Sequence, residues 1–243
     1  MPVGIHPSSF SIKSKDFPYA LADTIASAVF WEPPFETPNE GSVVELGPGR
    51  GDLTIELSNC FHQNPLYVLD KDFQRFGKFD FSSEDMKQAI TKSLDRAQKI
   101  ELDLRERKAL PLEDQSTRLI VMSLVASYLS QDELGHVISE LRRISKSGAA
   151  VVIVNYHHDY YNLYFESERG QKLGRRETFS YQSEEGTLYA HGMYVIPELL
   201  RSNGFSLSEI IDIRTTLDSP YLSRREEYRE KRIKVVRFFI ARG

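Results

Sequence analysis

The stretch Val43-Val44-Glu45-Leu46-Gly47-Pro48-Gly49-Arg50-Gly51 restricts the fold more than any other part of the chain. Two β-branched residues lead to an acid, and glycine then falls at alternate positions. Past Gly51 the apolar spacing changes, with Leu53, Leu57 and Phe61 four residues apart. The change from an extended run to a helical period predicts a strand, a sharp loop and a helix. Glycine belongs where the backbone takes positive φ or a ligand must come close. The helix turns free N–H groups and the positive end of its dipole toward the loop, which favours a ligand with negative or electron-rich groups. A dinucleotide fingerprint needs its third glycine at position 52, which is Asp52, and a phosphate loop needs a Gly-Lys-Ser or Gly-Lys-Thr ending, which is absent. A nucleoside without a pyrophosphate remains, and Glu45 suits one that carries an ammonium group.

Strand and helix signals then alternate. Residues 1–40 read as a polar arm and a helix from Phe17 to Trp31, broken by Pro33, Pro34 and Pro38. Leu66–Leu69 is a second strand ending at Asp70. Asp70 lies 19 residues past Gly51 (70 − 51), close to the offset of about 20 at which an acid meets ribose hydroxyls in nucleotide folds. Ser82 or Ser83 caps a helix running to about Ala97, with Met86, Ile90, Leu94 and Ala97 inward. A short strand, Lys99–Leu102, precedes Asp103, and Leu119–Leu124 is a fourth.

Ser130-Gln131-Asp132-Glu133 is a capping box. The helix behind it turns Leu134, Val137, Ile138, Leu141 and Ile144 to one side and ends at Gly148. Ala149–Val154 is a buried strand. Pro197 and Gly204 bound another helix, and Phe205–Arg214 and Ile233–Ala241 are two more strands. Such alternation implies a parallel sheet with helices on both faces, and ligands beyond the carboxyl ends of the strands. Glu45, Asp70, Asp103, Ser123 and Asn155 all fall at strand ends.

Glu45-x-Gly47-x-Gly49-x-Gly51 resembles motif I of the class I S-adenosylmethionine (SAM)-dependent methyltransferases. The run from Asp103 through Ala109-Leu110-Pro111-Leu112-Glu113-Asp114 to Leu119–Ser123 also looks like that family. The resemblance implies an α/β, three-layer Rossmann-like sandwich. Its sheet would be seven-stranded and mostly parallel, with an antiparallel last strand and helices on both faces. It also implies SAM as cofactor, with S-adenosylhomocysteine (SAH) as product. Asp103 would take the adenine amino group and the Leu104 backbone a ring nitrogen. Glu45, Gly47, Pro48, Gly49, Gly51, Asp70, Lys71 and Ser123 complete the expected cofactor set. A leading helix would bring Phe17, Tyr19 or Trp31 over the site. One departure is Arg118, where many members have an acid.

Glu45-Leu46-Gly47-Pro48-Gly49 with Leu53-Thr54 also looks like the ribosomal-RNA adenine dimethyltransferases. Their Asn-x-Pro-Tyr signature after the fourth strand is replaced here by Ser123-Leu124-Val125-Ala126. A nucleic-acid methyltransferase is therefore a rival reading, and a non-catalytic SAM-binding partner subunit is another.

Between Asn155 and Pro197 the alternation stops. Residues 156–196 are dense in aromatics, suited to a cap that lines a pocket for a small, aromatic or partly apolar methyl acceptor. Tyr156, Tyr160, Tyr181 and Tyr194 are the candidate acceptor contacts. His157, His158 and His191 are candidate bases for a hydroxyl or amine acceptor, since a neutral imidazole can take its proton. Adjacent histidines on an extended chain point oppositely, so His157 and His158 with Asp159 make a poor metal set, and no metal is expected. The expected organisation is thus an arm and helix over 1–40, a cofactor core over 41–155, a cap over 156–196, and a closing helix and strands over 197–243.

A formal net charge of −4 argues against a nucleic-acid surface. The single Cys60 excludes an intrachain disulfide and suits packing late in the first helix, in a reducing, cytoplasmic compartment. No run of 18 apolar residues predicts a membrane span. A homodimer is compatible with the sequence.

Overall fold

In a computed structural model of the chain, residues 40–79, 83–158, 173–183, 186–215 and 233–243 are described. Strands β1 (Ser42–Leu46), β2 (Leu66–Asp70), β3 (Ala97–Glu101), β4 (Thr117–Ser123) and β5 (Ser145–Tyr156) pair in parallel. With β8 (Ser206–Thr215) and β9 (Ile233–Arg242) they form a seven-stranded sheet in the order β3-β2-β1-β4-β5-β9-β8. The last strand, β9, is antiparallel to both β5 and β8.

Alternation along the buried strands makes two cores. One holds Val43, Val68, Val121 and Val152 with Leu53, Leu57 and Phe61 from helix α1 (Asp52–Cys60) and its end, and Leu94 from α2 (Glu84–Leu94). The other holds Val44, Leu46, Ile120 and Ile153 with Leu134, Ile138 and Leu141 from α3 (Gln131–Ile144), and Leu200 from α4 (Val195–Ser202). Successive strand residues point to opposite faces, so one apolar run feeds both helix layers. Each fully buried aliphatic side chain contributes about 1.5–3 kcal/mol. The three-layer sandwich expected from the sequence is present.

Several expectations are corrected. Met86 is 46% exposed, because α2 covers the sheet margin with its second half alone, where half-buried Ile90 and buried Leu94 pack on the core as expected. Cys60 is exposed instead of packed, since the stripe on α1 passes through Leu53, Leu57 and Phe61. α3 ends at Ile144 and runs straight into β5. Gly148, at φ 76, is a bend inside that strand, where the β4–β5 register slips from Thr117↔Ser145 to Leu119↔Ala150. Arg118 lies at the amino end of β4, its guanidinium 5.5 Å from the Phe61 ring centre, and so stands away from the carboxyl edge.

The aromatic stretch contains a hairpin, β6 (Thr178–Ser183) and β7 (Gly186–His191), which stands as a separate two-stranded sheet. The leading helix Phe17–Trp31 lies outside the described residues. Among the described residues no helix is long and apolar enough to cross a membrane.

Candidate functional site

Parallel pairing sets the carboxyl ends of β1, β2, β3 and β4 side by side: Leu46 faces Leu69 and Met122, and Asp70 faces Glu101. The glycine loop leaves β1 at this edge. Gly47, Gly49 and Gly51 have φ of 68, 57 and 95, in the left-handed region that glycine tolerates. Their surroundings differ. A Cβ on Gly47 would overlap Cγ2 of Val125, and one on Gly51 would come within 2.9 Å of Leu94 Cδ2. A Cβ on Gly49 would meet no atom within 4 Å. Two of the glycines therefore admit protein, and the middle one borders open space. Gly51 is the N-cap of α1 and offers no side-chain cap, so the N–H groups of the first turn remain directed at the loop.

Glu45 turns toward α1 and is 2% exposed; its carboxylate accepts a hydrogen bond from the Thr54 hydroxyl at 2.6 Å. Burial raises its pKa to about 7, with Asp52 and Asp70 adding to the rise and Thr54 opposing it. Asp70, the last residue of β2, is also raised, chiefly by burial; the backbone N–H groups of Asp72, Lys71 and Gly49 oppose that. Its carboxylate thus sits beside the loop, with Lys71 exposed next to it.

Asp103 is positioned two residues past β3 and caps the turn Leu104–Glu106. Nε and Nη2 of Arg105 reach its two oxygens at 2.9 and 2.5 Å. This pairing holds the Asp103 carboxyl below the usual range. The acid expected to receive an adenine amino group is therefore engaged by a neighbouring guanidinium.

Beyond Ser123 the chain makes a tight turn. Leu124 takes φ 59, and its N–H donates to Val154 O at 2.9 Å. Val125 covers Gly47, and Ala126–Tyr128 forms a 3₁₀ turn. The Ser127 hydroxyl donates to Asn155 Oδ1 at 3.1 Å, both side chains being buried. His191, at the end of β7, places Nε2 2.9 Å from Ala126 O and 3.1 Å from Leu129 O. Its Nδ1 lies 3.1 Å from the Thr178 hydroxyl. Burial pushes the imidazole pKa down, which favours the neutral ring. Carbonyls only accept, so Nε2 carries the proton.

The other candidates sit nearby. His157 is buried and His158 half-buried, directly after β5. Tyr156 and Tyr181 join Leu173, Phe179 and Ala190 in a small cluster on one face of the hairpin. Tyr194 is 39% exposed, under the Arg176 guanidinium. Tyr160 lies outside the described residues. The edge thus brings together Glu45, the glycine loop, Asp70, Asp103, Leu104 and Ser123. Sequence reasoning passed over Arg105 beside Asp103, Thr54 as the partner of Glu45, Val125 and Ser127. Thr54 left a trace, being a polar residue next to Leu53 on the inward stripe.

No protein-family model matches the sequence, and no curated protein matches it. Solved structures do. A SAM-dependent methyltransferase from Mesorhizobium loti is 16% identical, covering 93% of this chain and 100% of that one at a TM-score of 0.59. This chain has the class I methyltransferase fold. Magnesium protoporphyrin IX methyltransferase from Synechocystis PCC 6803, with bound SAH, is 18% identical over 96% of this chain and 89% of that one, at 0.56. Geranyl diphosphate C-methyltransferase from Streptomyces coelicolor A3(2), with SAH, is 13% identical over 92% and 78%, at 0.58. One methyltransferase fold thus carries acceptors as unlike as a porphyrin and a prenyl diphosphate, so the acceptor must be argued from the site.

Proposed function

We propose that the protein is a SAM-dependent methyltransferase that methylates an O or N atom of a small, aromatic or partly apolar molecule. The observation that carries this is the open space at Gly49, on the loop that leaves buried Glu45 and passes half-buried Asp70. It fits a nucleoside with an ammonium at one end and a ribose diol at the other. Gly47, Pro48 and Gly51 shape the loop, Glu45 meets the ammonium, and Asp70 accepts from the ribose hydroxyls. Lys71, Ser123, Asp103 and the Leu104 backbone complete the surround, with Arg105 yielding Asp103 to the purine.

SAM held by these residues would supply an electrophilic methyl on sulfonium sulfur, its carbon–sulfur pair returning to sulfur as the acceptor's lone pair takes the methyl. The chain aligns the acceptor, and positioning of that kind supplies much of the rate. His157 or His158 takes the proton released by the acceptor. Tyr156, Tyr160, Tyr181 and Tyr194 offer rings with polar tips to the acceptor. Titration calorimetry with SAH tests the cofactor; absence of heat from folded protein removes the proposal. Turnover with panels of phenols, amines and carboxylic acids, and with ribosomal RNA, tests the acceptor. Salt-sensitive methylation of RNA alone would replace the small-molecule reading with the nucleic-acid one. SAH binding with no product from any acceptor would replace it with a partner subunit.

A further inference from the structure

We propose that His191 is a positioning residue, whose imidazole ties the β6–β7 hairpin to the Leu124–Leu129 turn and so sets where that turn meets the glycine loop. The inference rests on the cofactor reading above. It assigns His191 a different part from His157 and His158.

The turn needs such a tie. Leu124 holds a left-handed backbone conformation, φ 59, which a branched side chain adopts only under constraint. Ala126 and Leu129 are buried; Ala126 O already accepts the Leu129 N–H at 3.1 Å, and a further donor shared with Leu129 O matters because buried carbonyls are costly to leave under-satisfied. His191 Nε2–H supplies the donor between both carbonyls, at 2.9 and 3.1 Å. Two residues before Leu129, Ser127 anchors the same turn to Asn155 from the sheet side. Between these anchors and β4, Val125 lies against Gly47 so closely that a Cβ there has no room.

The ring is not placed as a base. Nε2 gives its proton to main-chain carbonyls, and Nδ1 faces Thr178. It acts through the turn, by holding Val125 over the loop. A hairpin strand 62–65 residues away thereby bears on the cofactor crevice.

The test uses the full chain, with SAH as probe. His191→Leu removes the donor at similar size; His191→Gln keeps an N–H donor and abolishes titration. Ile138→Val, on the buried face of α3, is a control for lost stability alone. Expected results are a fall in SAH affinity of about tenfold for His191→Leu, roughly 1.4 kcal/mol per decade, near-native affinity for His191→Gln, and no change for Ile138→Val. Amide exchange over residues 124–130 and 186–191 should quicken in His191→Leu and stay native in His191→Gln.

Native affinity and exchange in His191→Leu would overturn the proposal, as would a Gln variant as impaired as the Leu one. Should His191→Leu fail to fold, Val125→Ala decides: it keeps the tie and trims the contact, and unchanged SAH affinity there sinks the inference. If the wild-type protein gives no heat with SAH, the cofactor reading fails. The exchange measurements then decide the tie by themselves.

Discussion

The two sides of the sheet's carboxyl edge are assembled over different chain distances. On the β1–β3 side the partners are close in sequence: Thr54 is nine residues from Glu45, and Arg105 two from Asp103. On the β4–β5 side they are remote: Ser127 to Asn155 spans 28 residues, Thr178 to Gln131 spans 47, and His191 to Ala126 spans 65. The first side is a backbone cradle set by glycines and a helix start. The second is a turn held in a strained conformation by side chains that only the folded chain brings near. The lesson is that the glycine-loop side follows local rules, whereas the β4–β5 side depends on cooperative closure of distant segments.

The largest effect should come where the two sides touch. Gly47→Val forces a Cβ into Val125 at φ 68; overpacking and the left-handed backbone together cost roughly 2–5 kcal/mol. Chemical denaturation checks this, and a loss below about 1 kcal/mol would mean that the sides are not in register. Glu45 comes next. Its folded pKa of about 7 lies above the ordinary 4.5. The folded state therefore holds the proton more tightly, and stability falls as pH rises from 4.5 through 7. The shift corresponds to roughly 3 kcal/mol. Glu45→Gln should flatten unfolding free energy between pH 4.5 and about 7 and exceed wild type at the upper end. A parallel pH profile for both proteins would remove the buried carboxyl from the account.

Asp70→Ala should weaken SAH binding by roughly 1.5–3 kcal/mol, the range for a lost hydrogen bond to a charged group; calorimetry with unchanged affinity takes Asp70 out of the site. Ser127→Ala, on the remote side, strips the donor from buried Asn155 Oδ1 and should cost about 1 kcal/mol of stability. A thermal melt identical to wild type would show that the turn does not need its sheet-side anchor. The smallest effect is expected from Arg105→Ala. Freed from its guanidinium, Asp103 should bind SAH a few-fold more tightly; weaker binding would mean that Arg105 itself contacts the ligand.

Much of this edge is visible in the chain as written. The β-branched pair and acid before Gly47, the four-residue spacing after Gly51 and the strand-end acids Asp70 and Asp103 depend on short-range sterics and polarity. Their positions could be stated before any packing was known. The parallel order of β1 to β5 follows from strand–helix alternation for the same reason. What escaped was set by packing. Met86 appeared inward because helical periodicity shows a stripe but not how far a neighbour extends to cover it. Gly148 looked like a helix stop because glycine marks left-handed backbone whether it ends a helix or bends a strand. Cys60 fell outside the core because the stripe drifts around the helix by its last residue.

By itself, then, the sequence determined a three-layer parallel α/β chain with a glycine-cradled crevice at one edge, since apolar periodicity and glycine backbone freedom are local properties. Only the tertiary structure decided which groups stand free there. It turned Glu45 onto Thr54, gave Asp103 to Arg105 and spent His191 on two main-chain carbonyls. Those choices depend on burial and on hydrogen-bond partners from elsewhere in the chain, and a buried polar group must take whichever partner the fold brings within reach.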